Sequence, residues 1–135
     1  MADDCIFCSI VTGDAPVTKV DEDEHTIAFM DIHPWTEGHA LVIPKEHYQD
    51  LYEIPDEVLG QVMSAAKRLA GRVRDGLDAD GVNLLNSTGR AAWQTVFHFH
   101  VHVIPRYEDD PLELPVRPEE GDPDEIKQIA EKLRG

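Results

Sequence analysis

The apolar residues of this chain follow two spacings along the sequence, and each spacing predicts a different kind of element. Four short apolar runs, bounded by proline, glycine and acidic residues, predict β-strands. The turn-rich segment between the first two runs, residues 31–38, predicts a hairpin with an elaborate loop. The four predicted strands are residues 26–30, 40–43, 82–85 and 96–104.

From Asp56 onward, apolar residues recur every three or four positions over a long stretch, which is the pattern of an amphipathic helix. Asp56 is the expected N-cap, and Gly76 or Gly81 is expected to mark the end. Near the C-terminus, Asp122 followed by proline predicts a short helix over residues 126–134. Because hairpins accompany one long helix without repeated strand–helix alternation, we expect an α+β domain with an antiparallel sheet.

Composition and charge narrow the classes of protein that fit. The chain has 135 residues, of which 41% are hydrophobic, enough for one domain with a sizeable core. No run approaches the ~20 apolar residues of a membrane span. The acidic N-terminus lacks the basic start of a signal peptide, so we expect a cytoplasmic protein without a membrane partner. Asp and Glu number 27 against 12 Lys and Arg, and the formal charge of −15 argues against a nucleic-acid partner.

Three histidines occupy alternate positions in the last predicted strand. His98, His100 and His102 should face one side of the sheet, and the intervening apolar residues should face the long helix. A structural role for all three is hard to sustain, because neighbouring imidazoles resist being charged together. The apolar positions of this strand are Phe97, Phe99, Val101 and Val103.

Spacing alone leaves two chemistries open for these histidines. One is metal binding by a His-x-His pair, and the other is nucleophilic catalysis by the middle ring. Cys5 and Cys8 form a C-x-x-C pair, which is typical of a metal half-site or a redox pair. As a zinc half-site this pair would need two more ligands from elsewhere in the chain.

The segment from His98 to Ile104 reads His-φ-His-φ-His-φ-φ, where φ is apolar, and through this motif the chain resembles the histidine triad (HIT) superfamily. The resemblance covers roughly residues 5–107. Ile104-Pro-Arg106 is similar to the branch near the dinucleoside-polyphosphate hydrolases and nucleoside phosphoramidases, of the bacterial and archaeal type with an N-terminal C-x-x-C. Further matching segments are residues 5–10, 28–32, 38–47 and 94–98.

The resemblance implies an enzyme that acts at the α-phosphate of dinucleoside polyphosphates or nucleoside phosphoramidates and releases a nucleoside monophosphate. His100 would be the nucleophile that forms a nucleotidyl-histidine intermediate, and His102 would contact the phosphoryl oxygens. Gln94 and Thr95 would contact the bridging atom or aid the leaving group. Trp93 stands where the family often has glycine, so the phosphate side should be narrowed or reshaped.

The same resemblance assigns the contacts to a purine nucleotide. Asp31 would accept hydrogen bonds from the ribose hydroxyls, although on its own it would be interpreted as a turn aspartate. Asn86 would be a polar substrate contact, and His39, at a common family position, receives no specific role. An apolar pocket would hold the base, although each of its members taken singly is typical of plain core. These members are Phe7, Ile10, Phe29 and Ile32.

A structural zinc and a homodimer are also implied. The zinc ligands would be Cys5, Cys8, His47 and His98, which leaves the other two triad histidines free for chemistry. The fold would be a bent antiparallel sheet of about five strands with one main helix. Two protomers would join through that helix and an edge strand. Residues 1–107 would form the HIT domain, and residues 108–135 an acidic, proline-rich tail packed on that domain or across the dimer.

Two rival functions are also compatible with the sequence. One is a nucleotide-binding regulatory or scaffold protein whose turnover is incidental. The other is a metal centre in which His100 is a ligand, and the C-x-x-C pair weakens it by offering a better zinc site.

Overall fold

Five antiparallel strands form one open sheet in the computed structural model, which describes residues 4–113 and 116–135. The strands are β1 (Lys19–Glu22), β2 (Thr26–Met30), β3 (Ala40–Pro44), β4 (Gly81–Leu85) and β5 (Val101–Arg106). The helices are α1 (Ile6–Thr12), α2 (Asp56–Leu77) and α3 (Pro123–Arg134). The order across the sheet is β1-β2-β3-β5-β4, and every neighbouring pair is antiparallel. The expected α+β class and number of strands are confirmed.

Helix α2 covers one face of this sheet. Its apolar stripe buries Val62 completely, and Val62 packs in one cluster with Phe99 and Val103 from the histidine segment. The expectation that the apolar residues of this segment face the long helix is therefore confirmed at positions 99, 101 and 103. Phe97 is different, because it is only half-buried, lies outside this cluster and has the guanidinium carbon of Arg90 5.4 Å from its ring centroid.

The opposite face carries a second apolar cluster beneath α1. Phe29 of β2 and Leu41 of β3 point to this side, where they meet Phe7 and Ile10. The sequence patterns did not predict α1, a helix of 7 residues, because it is too short to show a clear period. Two neighbouring strands flank β5 here, so that His102 pairs with Leu41 on one side and with Leu85 on the other.

Helix α2 begins and ends differently from the prediction. Asp56 is its first residue, and Pro55, without a side-chain hydrogen bond, occupies the N-cap. At the other end Asp78 adopts the left-handed conformation with φ of 53°, whereas Gly76 lies inside the helix and Gly81 starts β4. Aspartate tolerates this backbone region better than most residues, so glycine was not required.

The strand predicted over residues 96–104 is wrong in its first half, because β5 starts only at Val101 and runs through Pro105 to Arg106. The preceding main chain is satisfied by other partners. The carbonyl of Val96 accepts from the side chain of Gln94 (3.1 Å), and the amide of Phe99 donates to the carbonyl of Tyr48 (2.6 Å). These groups are therefore not available for a sheet ladder.

The segment after β5 is bonded to the last residue of that strand. Arg106 donates two hydrogen bonds to the carboxylate of Asp110, at 2.8 and 2.9 Å. Helix α3 is capped by Asp122 as predicted, although it begins at Pro123, and none of its residues is buried. The division of the chain near residue 107 stays a prediction, and positions 114–115 of the expected tail lie outside the described residues. The exposed apolar side chains of α3 are Ile126, Ile129 and Leu133.

Over residues 4–113 and 116–135, no helix combines the length and the apolar character needed to cross a membrane.

Candidate active site and metal centre

Four side chains that carry metal-ligand atoms meet beside α1. Cys5 is the N-cap of α1 and Cys8 lies in its first turn, while His47 follows β3 and His98 lies shortly before β5. The Nδ1 atom of His98 lies 3.3 Å from Sγ of Cys5 and 3.5 Å from Sγ of Cys8. The Nδ1 atom of His47 lies 3.3 Å from Sγ of Cys8. All four ligand atoms lie within 4.8 Å of one another, so the fold brings the predicted ligand set together.

The chemistry of these donors fits a tetrahedral zinc ion. Zinc–sulfur and zinc–nitrogen bonds of ordinary length place tetrahedral sulfur and nitrogen donors roughly 3.6 Å apart. The Nε2–H of His98 donates to the carbonyl of Pro44 (2.9 Å), which leaves the lone pair of Nδ1 facing the thiols. Burial, together with the neighbouring Cys5, raises the pKa of the Cys8 thiol to about 11. A bound cation would replace that proton, as metals do at thiol ligands.

His100 has one ring nitrogen committed to the main chain. Its Nδ1 lies 2.7 Å from the carbonyl oxygen of His98. A carbonyl can only accept, so Nδ1 carries the proton and Nε2 keeps its lone pair. Burial lowers the pKa of His100, although the hydrogen bond to His98 and the charge of Asp31 act in the opposite direction. His100 is therefore a neutral imidazole at pH 7 with one nitrogen free for nucleophilic attack.

A chain of two hydrogen bonds fixes the proton position on His102. The main-chain N–H of Trp35 donates to Nδ1 of the fully buried His39 (3.0 Å), so His39 carries its own proton on Nε2. That Nε2–H donates to Nδ1 of His102 (2.9 Å). His102 consequently carries its proton on Nε2. Burial, with the neighbouring His100 and His39 rings, lowers the pKa of His102 to about 4, so the ring is a neutral N–H donor at pH 7.

Asp31 lies beside this pair of rings. Its Oδ2 is 3.6 Å from Nε2 of His39 and 4.0 Å from Nδ1 of His102, while its Oδ1 accepts from the amide of His33 (2.8 Å). The three side chains could surround one ion by distance alone. However, the amide of Trp35 obliges Nε2 of His39 to carry a proton, and a protonated nitrogen has no lone pair for a metal. We therefore interpret this group as a hydrogen-bonded cluster, in which Oδ2 of Asp31 can still accept from hydroxyl groups.

A cavity of about 570 Å³ joins these groups, a volume in the range of small-molecule sites. Its apolar end lies over β2 and β3, and His100 and His102 lie further along it. Ile32 lines the cavity and is 83% exposed. Among the described residues, none of those lining the cavity is a lysine or an arginine. The predicted residues that it brings together are Phe7, Ile10, Phe29, Asp31, Ile32, Thr95, His100 and His102.

Gln94 is buried beneath the loop that precedes the triad. Its Oε1 accepts from the amide of Gly89 (2.8 Å), and its Nε2 donates to the carbonyls of Gln49 (2.8 Å) and Val96 (3.1 Å). The side chain therefore braces this loop, and it is absent from the described cavity lining. Its direct contact with substrate stays a prediction.

The side chain of Asn86 is also hydrogen-bonded to the main chain. Its Nδ2 donates to the carbonyl of His100 (3.0 Å), and its Oδ1 accepts from the hydroxyl of Thr88 (2.9 Å). Asn86 thus fixes the main chain of the nucleophile candidate, and it is not among the described residues that line the cavity. The predicted substrate contact of Asn86 stays a prediction.

The sequence does not predict the contacts that Trp35 and His39 make, nor the backbone conformation of Trp93. The ring of Trp35 stacks on His102, with centroids 5.7 Å apart and planes inclined by 18°. Trp93 adopts φ of 76°, a left-handed conformation in which glycine is the usual residue, and this explains why glycine suits the position. His39 stands directly before a buried strand, but its partners lie 4 and 63 positions away, so no local pattern identifies them.

Comparison with known proteins gives a consistent picture. The sequence profile of the HIT domain matches residues 12–109. The protein named "Protein hit" from Bacillus subtilis is 50% identical over 106 residues, which cover 78% of this chain and 73% of the relative. Adenylylsulfatase HINT3 of Arabidopsis thaliana is 38% identical over 112 residues, covering 83% of this chain and 57% of the relative. The crystal structure of a Zn-bound histidine triad family protein from Mycobacterium smegmatis is similar at a TM-score of 0.80 and 44% identity, covering 88% of this chain and 86% of that one.

Replacing His39 by leucine is expected to allow both tautomers of His102, because leucine cannot donate a hydrogen bond to Nδ1 of His102. Imidazole nitrogen chemical shifts at pH 7 should show wild-type His102 with the proton on Nε2 and the His39→Leu variant as a mixture of both tautomers. His39→Gln is the matched control, since its amide N–H can replace the donor and should preserve the wild-type shifts. An unchanged tautomer in a folded His39→Leu variant would contradict the hydrogen-bond chain.

Proposed function

The chain belongs to the HIT domain family, and on this premise we propose that it is a nucleotide hydrolase or nucleotidyl transferase that works through a nucleotidyl-histidine intermediate on His100. Members of this family are generally nucleotide hydrolases or transferases. The observation that carries the proposal is the neutral His100 ring. Its Nδ1 is committed to the carbonyl of His98, its Nε2 is free, and the N–H donor of His102 lines the same cavity.

The proposed reaction has two substitution steps at the α-phosphorus. In the first, Nε2 of His100 uses its lone pair to bond to the α-phosphorus, and the bond from phosphorus to the leaving group breaks. The leaving group departs with the bonding electron pair and takes up a proton from solvent. In the second, water attacks the same phosphorus, the bond to His100 breaks, and a nucleoside monophosphate leaves while the water proton passes to solvent. The Nε2–H of His102 donates to a non-bridging oxygen as charge develops there, which lowers the barrier of both steps.

The substrate class in this proposal is a nucleoside phosphoryl compound, either a dinucleoside polyphosphate or a nucleoside phosphoramidate. The apolar cavity end under α1 supports a purine base, and Oδ2 of Asp31 is available to the ribose hydroxyls. Thr95 lines the same cavity as His100 and is the candidate to aid the leaving group. The similarity to a relative named adenylylsulfatase supports an adenylyl group as the part of the substrate that the cavity holds.

Substituting His100 by alanine is expected to abolish turnover, with a loss of at least ~10³-fold in kcat, because the variant lacks the imidazole nitrogen that attacks phosphorus in the proposed reaction. Mass spectrometry of wild type quenched in mid-turnover with adenosine 5′-phosphoramidate, handled at neutral or basic pH, should show an adenylyl adduct on His100. The His100→Ala variant should lack the adduct and still bind adenosine monophosphate.

A different pair of outcomes would favour the rival function. If wild type forms neither adduct nor monophosphate, and both proteins bind nucleotide equally well, a nucleotide-binding regulatory protein fits better than an enzyme.

We further propose that Cys5, Cys8, His47 and His98 hold a structural zinc ion. The donor distances and the orientation of the His98 ring support this ion, and so does the similarity to a Zn-bound relative. When bound, zinc would tie α1 to the residues after β3 and before β5. It would also keep His98 neutral and out of the reaction, so the triad would divide between one ligand and two reacting rings.

Replacing Cys5 by alanine is expected to remove zinc and to lower the melting temperature by roughly 5–10 °C, which corresponds to about 2 kcal/mol for a domain of this size. Inductively coupled plasma mass spectrometry and calorimetry measure the two effects on the same sample. His25→Ala, at an exposed histidine outside the cluster, is the control and should change neither. Full metal content in the Cys5→Ala variant would contradict the ligand assignment.

The chain is also proposed to form a homodimer through β4 and α2. Val82 and Leu84 of the edge strand are exposed, and Leu84 pairs with Val103, whose side chain faces α2. These two side chains therefore continue the α2 face of the sheet and are only partly covered by their own protomer. Met63 and Leu77 of α2 are exposed as well. An apolar edge strand beside an apolar helix flank is the kind of surface that a second copy covers.

Introducing a lysine at Leu84 is expected to shift the protein from a dimer to a monomer, because the charge would be buried unpaired at the interface. Sedimentation equilibrium should give about twice the chain mass of 15.2 kDa for wild type and about that mass for the variant. Val20→Lys on the opposite edge strand is the matched control and should remain dimeric. A monomeric wild type would disprove the dimer, and a dimeric Leu84→Lys variant would place the interface elsewhere.

A further inference from the structure

The cavity lining includes residues beyond those already assigned to the base, the ribose and the reacting rings. Because the strand order is β2-β3-β5-β4, a cavity that starts over β2 and β3 and passes His102 on β5 reaches the end of β4 next. Neighbouring strands lie about 4.8 Å apart, so this path spans on the order of 14 Å. At the far end the lining includes Leu85, Ser87 and Trp93.

Trp93 holds an unfavourable position in this far part. Its φ of 76° is a strained conformation for a bulky residue, and 65% of the residue is exposed. The ring is therefore neither buried in a core nor favoured by its backbone. The loop itself is firmly held, since the amide of Trp93 donates to the carbonyl of Arg90 (3.0 Å) and the adjacent Gln94 is fixed by three hydrogen bonds. A strained, exposed aromatic ring on a fixed loop at a reaction cavity indicates a ligand contact.

Trp35 supplies a second aromatic surface in the same cavity. Its ring stacks on His102 and meets His39 edge-on, with centroids 5.4 Å apart, and 44% of the residue remains exposed. The chain contains two tryptophans in all, and both line this cavity. A planar group attached beyond the phosphorus would therefore have aromatic faces to contact on leaving the reacting rings.

The charge of the lining selects among planar groups. No lysine or arginine lines the described cavity, and the chain carries a formal charge of −15. A leaving group that bears several phosphates would find no cation there, whereas a neutral aromatic amine needs none. A nucleotide leaving group and an aromatic amine each contain a planar ring, but a cavity lining without cations favours the amine.

We propose that Trp93 and Trp35 form an aromatic leaving-group subsite, which selects nucleoside phosphoramidates whose amine carries a planar aromatic ring. This inference rests on the proposed function, because the subsite holds the group that the reaction at His100 releases. It makes Trp93 a specificity-determining residue: the ring contacts the part of the substrate that differs between phosphoramidates, and the adenylyl part is held at the other end.

The experiment compares two adenosine 5′-phosphoramidates of nearly equal size, one made from benzylamine and one from cyclohexylmethylamine. Wild type should prefer the benzyl compound in kcat/KM by roughly 3- to 10-fold, the scale of an aromatic contact. Trp93→Gly should reduce this ratio to about 1, while Trp93→Phe should keep most of it. Tyr52→Ala, at an aromatic residue that is 89% exposed and lies outside the cavity, is the control and should keep the wild-type ratio.

Stability separates a subsite from a structural role. A glycine relieves the left-handed backbone at position 93, so Trp93→Gly should melt at a temperature equal to or higher than wild type. A lower melting temperature with an equal loss on both substrates would overturn the subsite. An unchanged benzyl preference in Trp93→Gly would overturn it too. A third substrate, diadenosine triphosphate, distinguishes a second nucleobase from an amine: a larger Trp93→Gly loss on this compound than on the benzyl compound would replace the amine by a nucleobase and overturn the assignment.

A binding measurement keeps this inference distinguishable from the proposed function. In the His100→Ala background, tryptophan fluorescence reports only on Trp35 and Trp93, and the benzyl compound should bind at least ~3-fold more tightly than the cyclohexylmethyl compound. Equal affinities would overturn the subsite even if wild type turns over both compounds. A benzyl preference in binding that Trp93→Gly removes would support the subsite even if wild type shows no turnover, in which case only the proposed chemistry fails.

Discussion

Hydrogen bonds that can run in only one direction set the chemistry of this site. The carbonyls of Pro44 and His98 can only accept, and the amide of Trp35 can only donate, so each histidine ring beside them has one allowed proton position. The Nδ1 lone pair of His98 faces two thiols, and His100 has its lone pair on Nε2. His102 carries its proton on Nε2, because its Nδ1 accepts from His39. Three neighbouring residues of the same type thus receive three different roles. Burial keeps the pKa of all three rings low, so these roles hold at neutral pH without a charged imidazole.

The sheet makes this arrangement precise by separating a packed face from a working face. Phe99, Val101 and Val103 alternate with the histidines and pack against α2, so the main chain that carries the imidazoles cannot shift without disturbing the core. On the other face, Leu41 and Leu85 flank His102 from the two adjacent strands. His102 is placed by β5, whereas His98 and His100 precede the strand and are held by hydrogen bonds to the carbonyls of Pro44 and His98. Side chains fixed in this way keep their positions within the small tolerances that catalysis needs.

The sequence predicted those features whose determinants are local or recur with a period. The apolar stripe of α2, the hairpin of β2 and β3 and the alternation of Phe99 and Val101 with the histidines are of this kind. Sequence spacing could not predict where β5 begins, because the competing partners of that segment, Tyr48 and Gln94, lie in loops. Asp78 ends α2 in the left-handed conformation although Gly76 and Gly81 are nearby. The packing of the helix end, and not the preference of glycine for this conformation, therefore determines where α2 stops. The metal-ligand set came from family resemblance, because His47 and the cysteines are far apart along the chain. The role of His39 depends on two contacts that only the folded chain creates.

The proposed reaction brings phosphate groups to an acidic protein, so the site has to accommodate two negative charges that repel each other. The overall charge repels phosphates at a distance, and no basic side chain lines the described cavity. In such a site the charge that develops at phosphorus meets neutral N–H dipoles, which are fixed in advance and work best where water is excluded. Affinity must then come from apolar and aromatic burial at the two ends of the cavity, under α1 and at the tryptophans. A site built in this way discriminates by the shape of the groups attached to phosphorus more than by their charge.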